Sequence, residues 1–84
     1  MWFVYIIQCA DGSLYTGSTN NLEKRFLAHQ NGKGAKYTKS HKPEKIVYSE
    51  KHTKKIIALR RERKIKKFTR EQKLEFLKSH SASG

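Results

Sequence analysis

Trp2-Phe3-Val4-Tyr5-Ile6-Ile7-Gln8-Cys9, followed by Ala10-Asp11-Gly12 and then Ser13-Leu14-Tyr15-Thr16-Gly17, is the stretch from which the fold is read. Residues 2–9 are rich in β-branched and aromatic types and almost continuously apolar, the pattern of a strand covered on both faces. Asp11-Gly12 marks a hairpin turn, with Gly12 free to take a positive φ. Leu14-Tyr15-Thr16-Gly17 is the returning strand. Two common loops fit. A two-residue Asp11-Gly12 loop pairs Gln8 with Tyr15 and sends Tyr5 and Tyr15 to opposite faces. A three-residue Ala10-Asp11-Gly12 loop with a Gly12 bulge pairs Ile7 with Tyr15 and puts both tyrosines on one face.

Outward from the hairpin, Asn20 is read as a helix N-cap with Glu23 three residues on, opening a helix from about Asn21 to Gln30 that stops at Asn31-Gly32. Residues 32–43 have loop character and end at Pro43. Lys45-Ile46-Val47-Tyr48-Ser49 predicts a third strand. A long helix is expected from Thr53 to about Phe68, with Ile56, Ile57, Ala58, Leu59, Ile65 and Phe68 as its apolar residues. Thr69 with Gln72 forms a second capping box, opening a last helix that carries Leu74 and Leu77. The order ββαβαα makes the chain an α+β protein, a small three-stranded antiparallel sheet flanked by helices. The expected domain spans 1–78, and the small polar residues 79–84 are expected to form a disordered tail.

The 84 residues suffice for one domain with a modest core. Lys and Arg number 19 against 7 Asp and Glu, a formal net charge of +12. Such a field attracts polyanions, nucleic acid first among them. A lone cysteine, Cys9, excludes an internal disulfide and a cysteine-rich zinc module, and it suits a reducing compartment. The apolar run 2–7 is too short for a membrane span, and no targeting signal is read. The expectation is a cytoplasmic protein without a membrane partner.

Leu22, Arg25, Phe26 and His29 follow i, i+3, i+4, i+7 spacing and share one helix face. If Leu22 and Phe26 pack inward, Arg25 and His29 lie along the same seam. Either Arg25 snorkels to water and His29 sits at the surface, or an anion such as phosphate meets the guanidinium fork. Glu62, flanked by Ala58 and Ile65 on the wheel, is the sole acid between Lys54 and Arg70. A carboxylate in that place can hold a hard divalent cation through oxygen, or pair with Arg61, Arg63 or Lys66. Arg61 falls near the centre of the apolar stripe, where snorkelling or a bound anion are the options. Tyr5 and Tyr15 are either core residues or phenols able to move a proton beside positive charge.

Val4-Tyr5-Ile6 and, about ten residues on, Tyr15-Thr16-Gly17 resemble the paired signature of the GIY-YIG nuclease superfamily, with Arg25 and His29 on the next helix and Glu62 on a later one. Asn31-Gly32-Lys33-Gly34-Ala35-Lys36-Tyr37-Thr38-Lys39 with Pro43 is similar to its small stand-alone, UPF0213-like branch. The resemblance covers residues 2 to about 78. The chain departs from the pattern at Phe3, Val4 and Thr16, which are framework positions. It has Ser18-Thr19 where some members place a lysine, and Gln72 is the nearest residue to an Asn found beyond the Glu in many members.

The resemblance implies a metal-dependent endonuclease acting on DNA, structured or damaged DNA in repair or recombination included. It implies catalytic roles for Tyr5, Tyr15, Arg25, His29 and Glu62. Glu62 holds one Mg²⁺ or Mn²⁺, Arg25 neutralises transition-state charge, Tyr5 or Tyr15 takes the proton from water, and His29 assists a tyrosine. Gly17 keeps the strand end uncluttered for phosphate, and Lys33, Lys36, Lys39, Lys54, Arg60, Arg63 and Lys67, with Lys55 and Lys64, track the nucleic-acid backbone. DNA is favoured over RNA, and a protein partner that supplies substrate specificity belongs to the same expectation. The rival reading is a non-catalytic or partner-dependent nucleic-acid-binding module.

Overall fold

The computed structural model describes residues 1–34 and 41–81. These form β1 (Trp2–Cys9), β2 (Leu14–Thr19), α1 (Leu22–Gln30), β3 (Pro43–His52), α2 (Lys55–Lys66) and α3 (Arg70–Ser81). The sheet has the order β2-β1-β3, and both pairings are antiparallel. The central strand is therefore the apolar one, as its composition requires. Val4 and Ile6 turn to one face and pack with Ala58 and Ile65 of α2, joined by the partly buried Phe68, Phe76 and Leu77. Tyr5, Ile7 and Cys9 turn to the other and pack with Leu22 and Phe26 of α1. Each such aliphatic side chain contributes about 1.5–3 kcal/mol on burial.

The hairpin takes the three-residue loop. Ile7 stands opposite Tyr15 and Tyr5 opposite Gly17. Cys9 N–H donates to Ser13 O at 2.8 Å and Gly12 N–H to Cys9 O at 2.9 Å, with Gly12 at φ +85°. Asp11 fixes the turn by accepting from Ser13 N–H at 3.0 Å and Ser13 Oγ at 2.6 Å. One residue fewer in the loop would have separated the two tyrosines.

Helix boundaries differ from the sequence expectation where neighbouring residues compete. The N-cap of α1 is Asn21, not Asn20; its side chain accepts from Lys24 N–H at 3.1 Å. β2 continues to Thr19, whose Oγ1 accepts from Asn21 N–H at 3.1 Å, and this shifts the cap by one residue. At the other end Lys33 N–H bonds Ala28 O at 2.8 Å and Gly32 N–H bonds His29 O at 3.1 Å, with Gly32 at φ +73°: a Schellman stop. β3 is longer than expected. It starts at Pro43, opposite Cys9, where the first position of a strand tolerates the missing N–H.

α2 starts at Lys55, and its apolar residues do not form one buried face. Ala58 and Ile65 are fully buried, whereas Ile56, Ile57 and Leu59 are 53%, 41% and 36% exposed. Between the two buried positions stands Arg61, whose Nε donates to both oxygens of Glu50 on β3, at 3.1 and 3.0 Å. Glu50 also accepts from Tyr48 Oη and meets His52 Nε2, each at 2.5 Å. This answers the sequence question about Arg61: the anion beside it is Glu50.

The Thr69–Gln72 capping box forms as expected, with Thr69 N–H to Gln72 Oε1 at 2.8 Å and Gln72 N–H to Thr69 Oγ1 at 3.1 Å. α3 then runs through Ser79 and His80 to Ser81, so the first residues of the expected tail are helical. His80 Nδ1 meets Phe76 O at 2.7 Å, and its ring packs 4.3 Å from that of Phe76 and 5.5 Å from that of Tyr48. Among the described residues no helix is long and apolar enough to cross a membrane.

Candidate active site

Three elements bring the sequence-predicted residues of the α1 face together. The shared register sets the Tyr5 and Tyr15 rings 6.4 Å apart. Leu22 and Phe26 anchor α1 on the sheet, and His29, one turn beyond Phe26, is carried to full burial. Its ring lies 6.0 Å from that of Tyr5 and 5.2 Å from that of Tyr15, and its Nε2 is 2.9 Å from the Tyr5 hydroxyl.

Two glycines make the approach feasible. A Cβ on Gly17 would stand 2.5 Å from Tyr5 Oη and 3.2 Å from Tyr15 Cε2. The Tyr5 phenol thus lies across the bare backbone of its cross-strand partner. A Cβ on Gly34 would stand 2.1 Å from His29 Nδ1, so the chain just past α1 closes the far side of the imidazole. Neither role concerns φ; both are close contacts that any side chain would break.

Burial sets the protonation states. Burial first, and the Arg25 charge second, hold His29 down at about 4, so it is neutral at neutral pH. Burial pushes the Tyr5 phenol up to about 12, while the Arg25 guanidinium beside it pulls the other way. The pair is therefore uncharged, shares a hydrogen across one bond, and sits next to a cation. Among the described residues Arg25 forms no ion pair with a carboxylate.

Glu62 comes from the opposite side of the sheet. Its Oε1 accepts from Ser18 Oγ, and its Oε2 pairs with Lys66 Nζ at 2.8 Å. Lys66 Nζ also lies 5.8 Å from the centre of the Tyr15 ring, and the Glu62 charge adds to the rise of the Tyr5 pKa. β2 is an edge strand, and Lys66 links the two sides through its ion pair with Glu62 and its approach to the Tyr15 ring.

Among the described residues no three His, Cys, Asp or Glu side chains gather to hold a metal. The half-buried Glu62 carboxylate, 16% exposed, stands beside one hydroxyl, that of Ser18, and the Lys66 ammonium, which has no lone pair to offer a metal. That oxygen-only donor set suits Mg²⁺ or Mn²⁺, which keep several waters and need one or two carboxylates.

Of the expected nucleic-acid contacts, Lys33, Lys54, Arg60, Arg63 and Lys67 are exposed or half-buried at the surface, as are Lys55 and Lys64. Arg60, Arg63 and, at the C-cap, Lys67 share one face of α2. Gly17 is buried under Tyr5. Lys36 and Lys39 lie outside the described residues. Sequence reasoning missed Ser18 and Gly34. Ser18 bonds a carboxylate 44 positions away, which no local pattern signals. Gly34 reads in sequence as part of a plain glycine-rich loop.

A family model described as the GIY-YIG catalytic domain matches residues 1–75. A UPF0213 protein of Clostridium perfringens is 57% identical over 81 residues, which cover 96% of this chain and 87% of that protein. A UPF0213 protein of Staphylococcus epidermidis is 53% identical over 76 residues, covering 90% and 93%. The solution NMR structure of a UPF0213 protein from Bacillus halodurans superposes with a TM-score of 0.64 at 36% identity, covering 98% of this chain and 88% of that one.

Proposed function

Since the chain belongs to the GIY-YIG family, a family of nucleases, we propose that it is a metal-dependent endonuclease that hydrolyses phosphodiester bonds in DNA. The observation that supports this most is the buried, neutral Tyr5–His29 pair beside the Arg25 cation. A purely structural tyrosine does not need a fully buried imidazole, and a structural arginine is ordinarily matched by a carboxylate.

In this reading Arg25 receives the phosphate and stabilises the charge that grows on its oxygens. Tyr5 accepts the proton of the attacking water as its own passes to His29 Nε2, which carries a lone pair when the ring hydrogen is on Nδ1. Tyr15, packed against both rings, keeps the pair aligned and dry. Gly17 leaves space for the Tyr5 hydroxyl at the strand edge. Glu62 would hold the single Mg²⁺ or Mn²⁺, whose contribution when bound is Lewis-acid stabilisation of the leaving oxygen. Lys33, Lys54, Arg60, Arg63 and Lys67 attract the backbone without reading bases. The lone cysteine, buried and free, fits a cytoplasmic protein.

One observation favours a second reading, a binding module that cuts only with a partner: both Glu62 oxygens are engaged by Ser18 and Lys66. Incubation of the purified chain with single-stranded, duplex and branched DNA in Mg²⁺, Mn²⁺ or EDTA separates the two. Divalent-dependent cleavage that Glu62→Gln abolishes supports the nuclease. Tight, salt-sensitive binding with no cleavage above the Glu62→Gln background in either metal leaves the module. Branched substrates cut faster than plain duplex would favour a role in repair or recombination.

A further inference from the structure

Beyond Tyr15, toward the hairpin turn, β2 borders a hollow of about 240 Å³ lined by Ser13, Leu14, Phe68, Arg70 and Lys73. Its floor includes Leu14 and Phe68, and its cations come from the first turns of α3. The volume is several times the roughly 30 Å³ share of a water molecule. Arg70 Nη1 donates to Gly12 O at 3.0 Å, which ties α3 to the turn and sets the guanidinium at the rim.

Lys73 is half-buried, and its ion-pair partner is absent among the described residues. Burial, and then the nearby Lys66 ammonium, both push its pKa down. A half-buried cation facing a second cation raises the energy of the folded chain unless an anion joins them. Two candidate carboxylates are already engaged. Glu62 is tied to Lys66 and Ser18. Asp11 holds Ser13 and pairs with His41 Nδ1 at 2.7 Å. Lys66 Nζ lies 5.8 Å from the centre of the Tyr15 ring and its charge is felt at Lys73, so one cation relates the hollow to the candidate active site across β2.

We infer that this hollow is a second phosphate subsite, in which Lys73 and Arg70 hold a phosphodiester of the bound strand flanking the one at Tyr5. It rests on the nucleic-acid part of the function proposed above and not on catalysis. The strand then leaves the site past the hairpin turn, guided by point charges that read no base.

The test is equilibrium binding of a fluorescent single-stranded oligonucleotide in EDTA across a salt series. Lys73→Gln with Arg70→Gln is compared with Lys45→Gln, an exposed lysine on β3 at the far side of the sheet. The expected result is at least a fivefold weaker Kd and a salt slope shallower by about 0.7 for each phosphate no longer neutralised. Lys45→Gln should stay near the unaltered chain, and Lys73→Arg should restore most of the affinity. Because Arg70 also braces the turn, Lys73→Gln alone, with its melting curve checked, must show part of the weakening. Backbone amide shifts of Ser13 and Lys73 on titration with inorganic phosphate give a second readout. An effect equal to that of Lys45→Gln, with no shift at Ser13 or Lys73, overturns the subsite even if the chain cuts DNA. Binding that falls as expected in a chain that never cuts upholds it while the catalytic reading fails. Absence of any oligonucleotide binding overturns both.

Discussion

Two clusters, one on each face of the sheet, treat charge in opposite ways. On the α2–α3 face Glu50 takes hydrogen bonds from Tyr48 and, on both its oxygens, from Arg61 Nε, and it meets His52 as well. The carboxylate and the guanidinium there are partnered, and Phe76 lies under Arg61 at 5.5 Å. On the α1 face the Tyr5–His29 pair is neutral, and the Arg25 cation beside it has no carboxylate partner among the described residues. A saturated network can only hold the fold together. An unsaturated cation beside a proton-sharing pair keeps capacity for a substrate, so the difference separates the scaffold from the candidate chemistry.

That contrast is most sharply tested by Arg25→Ala. Removing the Arg25 cation should lower single-turnover cleavage by about 10²–10³-fold, as the loss of a transition-state donor does, while the thermal midpoint hardly moves. A large fall in the midpoint with unchanged cleavage would make Arg25 part of the scaffold.

Next in size is the pH dependence of stability. His29 has its folded pKa at about 4, below the ordinary 6.5 of the unfolded chain. The unfolded state therefore takes up the proton first. Stability is intact above pH 6.5, declines as pH falls from there to about 4, and loses nothing further from this group below that. The loss should reach about 3 kcal/mol in urea titrations, and His29→Gln should flatten this limb. A curve flat from pH 7 to 4 would show that His29 is not held neutral.

Glu50→Gln probes the saturated cluster. It should cost about 2 kcal/mol in urea unfolding, since it leaves Arg61 facing a neutral amide in a part-buried position, and cleavage per folded molecule should be unchanged. Smallest is Thr16→Val. The Thr16 hydroxyl is buried and has no hydrogen-bond partner among the described residues. Replacing it with a methyl should stabilise by up to about 1 kcal/mol, and a clear destabilisation would reveal an unrecognised partner.

What could be read in the sequence follows the reach of each interaction. The Thr69–Gln72 box is legible because its partners lie three residues apart. The apolar β1 announces a central strand. The register of the hairpin is not legible, since Asp11-Gly12 suits two loops and the Cys9–Ser13 bond, not the dipeptide, decides between them. Asn20 and Asn21 are equal cappers by type, and the end of β2 selects the second. The stripe drawn on α2 counts Ile56, Ile57 and Leu59 as core because periodicity does not know which helix face meets the sheet. Arg61–Glu50 and Tyr5–His29 join separate elements, so composition alone does not pair them. For the second pair the family resemblance supplies the juxtaposition, and the fold puts the two groups 2.9 Å apart.

The central claim is that the Tyr5 hydroxyl, shared with His29 across that one bond, moves the proton that makes water a nucleophile. Single-turnover cleavage of an end-labelled DNA in Mn²⁺ by Tyr5→Phe, a change of one oxygen, tests it most directly. The account predicts a rate at least 10²-fold lower than that of the unaltered chain, with binding and melting temperature preserved. Cleavage by Tyr5→Phe at the rate of the unaltered chain would contradict it.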